Sequence, residues 1–279
     1  MITYPLAVGA TMTRVFSAGQ TGPVLVLVHG LTSRADRWQH NIDVLAAAGY
    51  RVYAPDLPGH GFATKSADFD HSIPGYRDFL LQFLDQVDAP EAILLGTSLG
   101  GHVAAAATIA APQRVRSLIM VGSLGLAPVT QEKVERTTAG LRDMRLEAMR
   151  NRLLQVFSDP RHVTDALVEE DVRINASPGA AACFERFLDY FAHRFNDDLV
   201  LDGLQALGDR IPLLLLWGEE DKSVPLEIGQ KTHRRLPQAQ LGIFQKTNHT
   251  PYWEAPALFN QAVLDFLGGR MTQTTVSWG

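Results

Sequence analysis

Ala92-Ile93-Leu94-Leu95-Gly96-Thr97-Ser98-Leu99-Gly100-Gly101-His102-Val103 joins a short apolar run to an alanine-rich one across a serine bracketed by glycines. The first part reads as a strand buried on both faces and the second as a helix, so Gly96-Thr97-Ser98-Leu99-Gly100 is a G-x-S-x-G turn between them. A strand that turns sharply into a helix crowds the backbone two positions either side of the serine, where only glycine fits. The serine is held in a strained conformation costing on the order of 1 to 3 kcal/mol, and its hydroxyl is lifted clear of the sheet. The amide of Leu99 then sits at a helix N-terminus, placed to donate to a developing oxyanion. Ser98 is therefore the candidate nucleophile.

On the N-terminal side, Val24 to Val28 is another continuous apolar run, ending in His29-Gly30-Leu31. It is followed by a helical pattern from Ala35 to Ala48, a strand from Arg51 to Ala54 and a helical pattern from Ile73 to Val87. That alternation predicts a parallel sheet covered by helices, with Val24–Val28 and Ala92–Leu95 as central strands. Val28 and Leu95 should end on the same sheet edge, which makes the Leu31 amide a second oxyanion donor. Each such donor is worth roughly 3 to 4 kcal/mol in the transition state. His29 reads as a structural loop histidine.

On the C-terminal side, a strand from Val115 to Val121 is followed by a charged, helical stretch from about Thr130 to about Leu207. Its segments near Glu132–Phe157, Val163–Ile174 and Ala180–Phe195 space apolar residues three and four apart. Leu141, Met144, Leu153, Phe157, Phe184, Phe187 and Phe191 supply apolar faces that could roof a pocket, although plain core is their simpler role. The β/α rhythm resumes at Pro212–Trp217, with a strand at Gln240–Phe244 and a final helix from Ala255 to Leu267. The domain reading is a sheet domain in two parts, 1–127 and 208–279, split by a helical lid at 128–207. The tail Thr272–Gly279 shows no element of its own.

A serine hydroxyl is a weak nucleophile without a histidine in reach and a carboxylate to fix that histidine's tautomer. Of nine histidines, His249 is chosen because it follows the last strand and precedes the last helix, where a loop reaches back over the serine. For the acid, Trp217-Gly218-Glu219-Glu220-Asp221-Lys222-Ser223-Val224-Pro225 offers three carboxylates just past an apolar strand. Position alone leaves all three open.

Composition narrows the partners. With 25 Lys and Arg against 30 Asp and Glu, the net charge of -5 leaves no basic excess for nucleic acid or anionic membranes. No apolar run approaches the roughly 20 residues needed to cross a bilayer. The opening Met1-Ile2-Thr3-Tyr4-Pro5 carries no basic residue ahead of its apolar stretch, so we expect a cytoplasmic protein. Cys183 is the only cysteine and reads as a small buried hydrophobe. The expectation is a small-molecule substrate, no metal or organic cofactor, and a chain compatible with homo-oligomers.

These blocks, from about Val24 to about Leu267, resemble the α/β-hydrolase fold family. The resemblance implies a mostly parallel, eight-stranded type of sheet flanked by helices, with the triad in the order Ser98, Asp221, His249. It selects Asp221 because Gly218 to Pro225 is similar to the family's G-x-x-D-x-x-x-P acid loop, and it makes Asp56 in Asp56-Leu57-Pro58-Gly59-His60-Gly61 a structural turn-former. Within the family, Ala47–Val52 and the helical insertion are similar to esterases and to hydrolases that cleave ring-opened aromatic diketones at a carbon-carbon bond. The latter usually have a glycine-rich loop after His-Gly, an asparagine before the serine, a tryptophan after the histidine and an arginine on the lid. Here stand Leu31-Thr32-Ser33, Thr97 and Thr250, with Arg173 as the nearest lid arginine. On these departures we expect a carboxylesterase ahead of a carbon-carbon hydrolase. A ligand receptor with slow turnover and a perhydrolase, in which peroxide takes the acyl group, are further readings of the same parts. Arg34, Arg37 and Arg173 could hold a substrate carboxylate, but solvated surface is their simpler role.

Overall fold

The computed structural model describes residues 1–269 and 276–278. One nine-stranded sheet organises them, built from β1 (Ile2–Val8), β2 (Thr11–Ala18), β3 (Val24–Val28), β4 (Arg51–Pro55), β5 (Ala92–Thr97), β6 (Val115–Val121), β7 (Leu213–Gly218), β8 (Gln240–Phe244) and β9 (Val276–Trp278). The order is β1-β2-β4-β3-β5-β6-β7-β8-β9, parallel from β4 to β8 and antiparallel at both margins. The mostly parallel sheet is thus as expected.

The helices occupy the connections. They are α1 (Ile42–Ala47) before β4, α2 (Ile73–Gln86) before β5 and α3 (Leu99–Ala110) before β6. Between β6 and β7 come α4 (Gln131–Arg142), α5 (Leu146–Leu154), α6 (Asp165–Asn175), α7 (Ala180–His193) and α8 (Leu201–Leu207). The last are α9 (Leu226–Arg235) before β8, then α10 (Pro251–Glu254) and α11 (Pro256–Leu267).

Continuous apolar strands follow from burial on both faces. Val24, Val26 and Val28 pack with Tyr76 and Phe83 of α2 and Val103 of α3. Leu25 and Leu27 point the other way, into a cluster with Ile42 and Leu45 of α1 and Phe259 and Val263 of α11. The helical segment between β6 and β7 divides: Val134 of α4 and Phe187 and Phe191 of α7 join the first cluster, as plain core. Met149 and Leu153 of α5 form a separate cluster with Phe157, Val163 and Leu167.

Three local readings are corrected, and a hairpin is added at the N-terminus. Ala35–Ala48 is a short 3-10 turn, Ala35–Trp38, followed by α1. Glu132–Phe157 is two helices, because Asp143 is extended and its carboxylate accepts from the Arg145 amide. The N-terminal residues form the β1/β2 hairpin on the sheet edge. The tail Thr272–Gly279 lies partly outside the described residues, and its Val276–Trp278 pairs with β8 as β9.

The register brings the strand ends level: Val28 faces Gly96, Thr97 faces Val121, Val121 faces Leu216 and Gly218 faces Phe244. From β3 the order runs to β4 on one side and β5 on the other, a crevice outside the carboxyl ends where open α/β sheets bind ligands. Leu31, Ser98, Asp221 and His249 all follow strand ends on this edge.

Candidate active site

Ser98 holds φ 54 and ψ -118, a left-handed conformation that is costly for a residue with a Cβ. Packing enforces it. A Cβ on Gly96 would lie 2.2 Å from the Gly100 carbonyl oxygen, and one on Gly100 would lie 2.3 Å from the Val28 carbonyl oxygen. The sequence argument for two obligatory glycines is therefore a contact argument in the fold. Leu99 is the first residue of α3, so its amide has no acceptor inside the helix. Leu31 lines the same cavity as Ser98.

His249 is nearly buried, and its Nδ1 lies 2.8 Å from Asp221 Oδ2. The other carboxylate oxygen, Oδ1, accepts from the Ser223 and Val224 amides at 2.8 Å each. Of the other two carboxylates in that loop, Glu220 accepts instead from Ser158 Oγ at 2.7 Å, and Glu219 is exposed. Ser98 and His249 open into one cavity of about 120 Å³. Gly122 leaves room behind the pair, since a Cβ there would lie 2.8 Å from Asp221 Oδ2 and 3.0 Å from His249 Nδ1.

The loop carrying His249 is fastened to the end of α5. His249 N donates to the Val156 carbonyl at 3.1 Å, Thr250 Oγ1 donates to the same oxygen at 3.1 Å, and Asn248 Nδ2 donates to Gln155 O at 3.0 Å. Met149, Leu153, Val156 and Phe157 thereby wall the cavity from the side of the inserted helices. Leu153 and Phe157, which the sequence offered as either roof or core, line this cavity and also belong to the small buried cluster with Met149.

His29 has a structural role. Its Nδ1 is 2.8 Å from the Gly30 carbonyl and its Nε2 accepts from the Leu57 amide at 2.9 Å, while burial lowers its pKa. The ring is neutral and both nitrogens are occupied. Asp56 is likewise a turn-former: its carboxylate accepts from the Ala35 and Phe62 amides and from Arg14 Nε at 2.8 Å.

The expected surface arginines divide. Arg173 is exposed and paired with Glu169 at 3.2 Å, away from the Ser98 cavity. Arg34 and Arg37 are only 2% and 6% exposed, which overturns the solvated reading. Both clasp the buried Asp171 of α6, with Arg37 Nη2 at 2.6 Å from Asp171 Oδ2; Arg34 also reaches Glu170 at 2.5 Å. Arg37 also lies over the Trp253 ring at 5.6 Å and, with Asp171, lines the cavity. Trp253, four residues past His249, supplies an indole to this wall while Thr250 stands next to the histidine.

Sequence reasoning missed Arg152. It lines the cavity from α5, donating to Gly140 O at 2.6 Å and facing the sulfurs of Met144 and Met149, with no carboxylate in salt-bridge range among the described residues. Its Nε is buried without a partner, and burial lowers its pKa. An apolar cavity wall that keeps a guanidinium suits an anionic group on a ligand.

The sequence profile of the alpha/beta hydrolase fold matches residues 23–256. The chain belongs to the α/β-hydrolase fold family. Within it, a 2-hydroxy-6-oxononadienedioate/2-hydroxy-6-oxononatrienedioate hydrolase of Cupriavidus pinatubonensis is 31% identical over 90% of this chain and 88% of its own. The hydrolase of the same name from Escherichia coli K12 is 30% identical over 89% and 88%. Among solved structures, the 2-hydroxy-6-oxo-6-phenylhexa-2,4-dienoate hydrolase of Rhodococcus sp. strain RHA1 superposes with a TM-score of 0.84 at 22% identity, covering 96% of this chain and 98% of its own. These relatives correct the expected preference for a carboxylesterase: they are named as dienedioate hydrolases, which cleave a carbon-carbon bond, the reaction class that the motif departures at Leu31-Thr32-Ser33, Thr97 and Thr250 had placed second. Among the described residues, no helix is long and apolar enough to cross a membrane.

Proposed function

We propose that this α/β-hydrolase cleaves a carbon-carbon bond in a ring-opened 2-hydroxy-6-oxodienoate by hydrolysis. The observation that carries the reading is Arg152, a guanidinium in the cavity that holds Ser98 and His249 with no carboxylate within salt-bridge distance among the described residues. It matches the C1 carboxylate of such a substrate, and the relatives' names supply the reaction class.

In this reading, Asp221 holds His249 with Nδ1 protonated, leaving Nε2 to act as base. The substrate first ketonises, its C2 hydroxyl proton passing to C5, which yields a 2,6-dioxo-3-ene. Ser98 Oγ adds to C6 as its proton passes to His249, and the amides of Leu31 and Leu99 take the C6 oxyanion. Collapse breaks the C5–C6 bond. The electron pair delocalises through C3=C4 into the C2 oxo group, and the proton held by His249 completes a 2-hydroxypenta-2,4-dienoate. Water, deprotonated by His249, then adds to the acyl-Ser98 and releases a carboxylic acid, returning both side chains to their starting state. Residues 128–207 act as a lid, with Met149, Leu153 and Phe157 keeping bulk water from the acyl group.

The test is incubation with 2-hydroxy-6-oxo-6-phenylhexa-2,4-dienoate and with 2-hydroxy-6-oxonona-2,4-dienedioate, following loss of the dienolate absorbance and identifying both products by mass spectrometry. Hydroxypentadienoate is the expected common product. Ser98→Ala should abolish its release, and Arg152→Met should raise KM about tenfold, the worth of one charged contact. Retention of near wild-type product release by Ser98→Ala would remove Ser98 from the mechanism.

A further inference from the structure

The loop that leaves β3 starts against the nucleophile. A Cβ on Gly30 would lie 3.2 Å from Ser98 Cβ and 3.8 Å from its Oγ. The peptide joining Gly30 to Leu31 therefore runs beside Ser98. It is trans, so its N–H and C=O point in opposite directions, and whatever holds the Gly30 carbonyl aims the Leu31 amide. Two donors hold that carbonyl. One is the Ser33 amide at 3.2 Å; the other is His29 Nδ1 at 2.8 Å, which carries the ring proton because Nε2 accepts from the Leu57 amide.

The Ser33 amide is itself held from the far side. It belongs to the Thr32–Ser33 peptide, whose carbonyl accepts from Asn175 Nδ2 at 3.1 Å. Asn175 is the last residue of α6 and is only 2% exposed. Four residues earlier, on the same face of the helix, Asp171 is buried against Arg34 and Arg37, which continue this loop. One face of α6 thus docks on the loop twice, through charge at Asp171 and through the backbone at Asn175.

The loop needs that fastening. Thr32 has φ 57, a left-handed conformation that is unfavourable for a β-branched residue. Released from Asn175, Thr32 would relax toward negative φ, turning the Thr32–Ser33 peptide and drawing the Ser33 amide away from the Gly30 carbonyl. His29 alone would then hold the peptide that presents Leu31.

We propose that Asn175 is a positioning residue for the oxyanion hole and acts through two successive peptides. It fixes the Thr32–Ser33 unit, which fixes the Gly30–Leu31 unit and with it the direction of the Leu31 N–H. The inserted helices thereby supply part of the electrostatic preorganisation of the reaction without meeting the substrate. The Ser98 cavity is lined by Asp171 but not by Asn175, so removing the Asn175 donor acts on rate and not on ground-state binding. The proposal rests on the reading of Ser98 as nucleophile and of the Leu31 amide as an oxyanion donor.

The test uses Asn175→Leu, which keeps the volume and removes the donor, and Asn175→Asp, which keeps the shape and has no side-chain N–H at neutral pH. Each is compared with wild type in turnover of 2-hydroxy-6-oxo-6-phenylhexa-2,4-dienoate and in inhibition by phenyl trifluoromethyl ketone. Ser98 Oγ adds to the carbonyl carbon of that ketone, its proton passes to His249, and the carbonyl π pair becomes an oxyanion with no leaving group to expel. Both variants should lower kcat about tenfold or more, approaching the roughly hundredfold loss that follows removal of a whole donor, with KM within about twofold. Ketone affinity should weaken by the same factor as kcat, while affinity for benzoate, which forms no oxyanion on Ser98, stays within about twofold. Unchanged kcat and ketone affinity would overturn the proposal. So would a loss confined to KM, or equal weakening of ketone and benzoate, either of which would make Asn175 a support of the cavity wall alone. If Asn175→Leu does not fold, Asn175→Asp carries the comparison. If the diketone is not consumed but a ketone adduct that Ser98→Ala abolishes is weakened in the variants, the reaction assignment fails and the role of Asn175 stands.

Discussion

Asp221 presents one carboxylate oxygen to His249 Nδ1 at 2.8 Å and gives the other to two amides of its own loop, so the carboxylate cannot rotate without losing backbone bonds. Because a carboxylate only accepts, Nδ1 carries the proton and Nε2 is left as an acceptor on a ring that lines the same cavity as Ser98. Asp221→Asn keeps the shape and inverts this preference. We expect kcat to fall about ten-thousand-fold with KM and the thermal midpoint nearly unchanged, as read from steady-state turnover and calorimetry.

The glycine at the far side of the nucleophile turn has no space to give. A methyl on Gly100 would meet the carbonyl oxygens of Val28 and His29 at 2.3 and 2.5 Å, both in the backbone leaving β3. Gly100→Ala should lower stability by roughly 1 to 3 kcal/mol and lower kcat, because relief requires β3 and α3 to separate beside Ser98. Chemical denaturation checks the first part. A stability equal to wild type would contradict the packing argument.

Asp171 is buried between Arg34 and Arg37, and removing its charge leaves the buried Arg37 with no salt bridge among the described residues and Arg34 with only Asp36 and Glu170. Asp171→Asn should cost about 3 to 5 kcal/mol. Arg173→Ala, two residues away on the same helix but exposed, should stay within about 0.5 kcal/mol. Urea denaturation of the two variants in parallel measures the contrast.

Acid should weaken the fold through its buried histidines. His102 lies under Phe195 with Nε2 2.6 Å from the Asp198 carbonyl, and burial lowers its pKa from 6.5 to about 4. Between these values the unfolded chain binds more protons than the folded one, so stability rises with pH across the window and is lost as pH falls from 6.5 toward 4. Burial lowers His29, His60 and His71 as well, with the same sign. His102 alone accounts for up to about 3 kcal/mol. Thermal midpoints taken from pH 7 to pH 4.5 should fall less steeply in His102→Gln than in wild type.

The parts of the fold that the sequence shows most clearly are those where one physical demand dominates. Val24–Val28, Ala92–Thr97 and Leu213–Gly218 are buried along their whole length, so their residues are apolar without interruption. The β1 strand is mostly exposed and contains Pro5, so at the sheet margin nothing forces a recognisable pattern. Ser98 and His249 stand out because turn geometry and loop position constrain their neighbours as well as themselves, whereas only the family resemblance singles out Asp221 from Glu219 and Glu220. Arg34 and Arg37 do not stand out, since what buries them is an aspartate more than a hundred residues away, on a helix whose docking no local pattern records. Arg152 is hidden for a related reason: on α5 it reads as one charge among several, and only the fold shows that it lines the cavity with no carboxylate within salt-bridge distance among the described residues.

The bonds from Asn248, His249 and Thr250 to Gln155 and Val156 have a bearing on how this protein can be altered. The inserted helices hold the backbone of the histidine loop as well as the walls that would select a substrate. A chimera that exchanges residues 128–207 for those of a relative also exchanges the anchor of that loop. Selectivity and rate would then change together, and grafted helices should need compensating changes near residues 248–254 before turnover recovers.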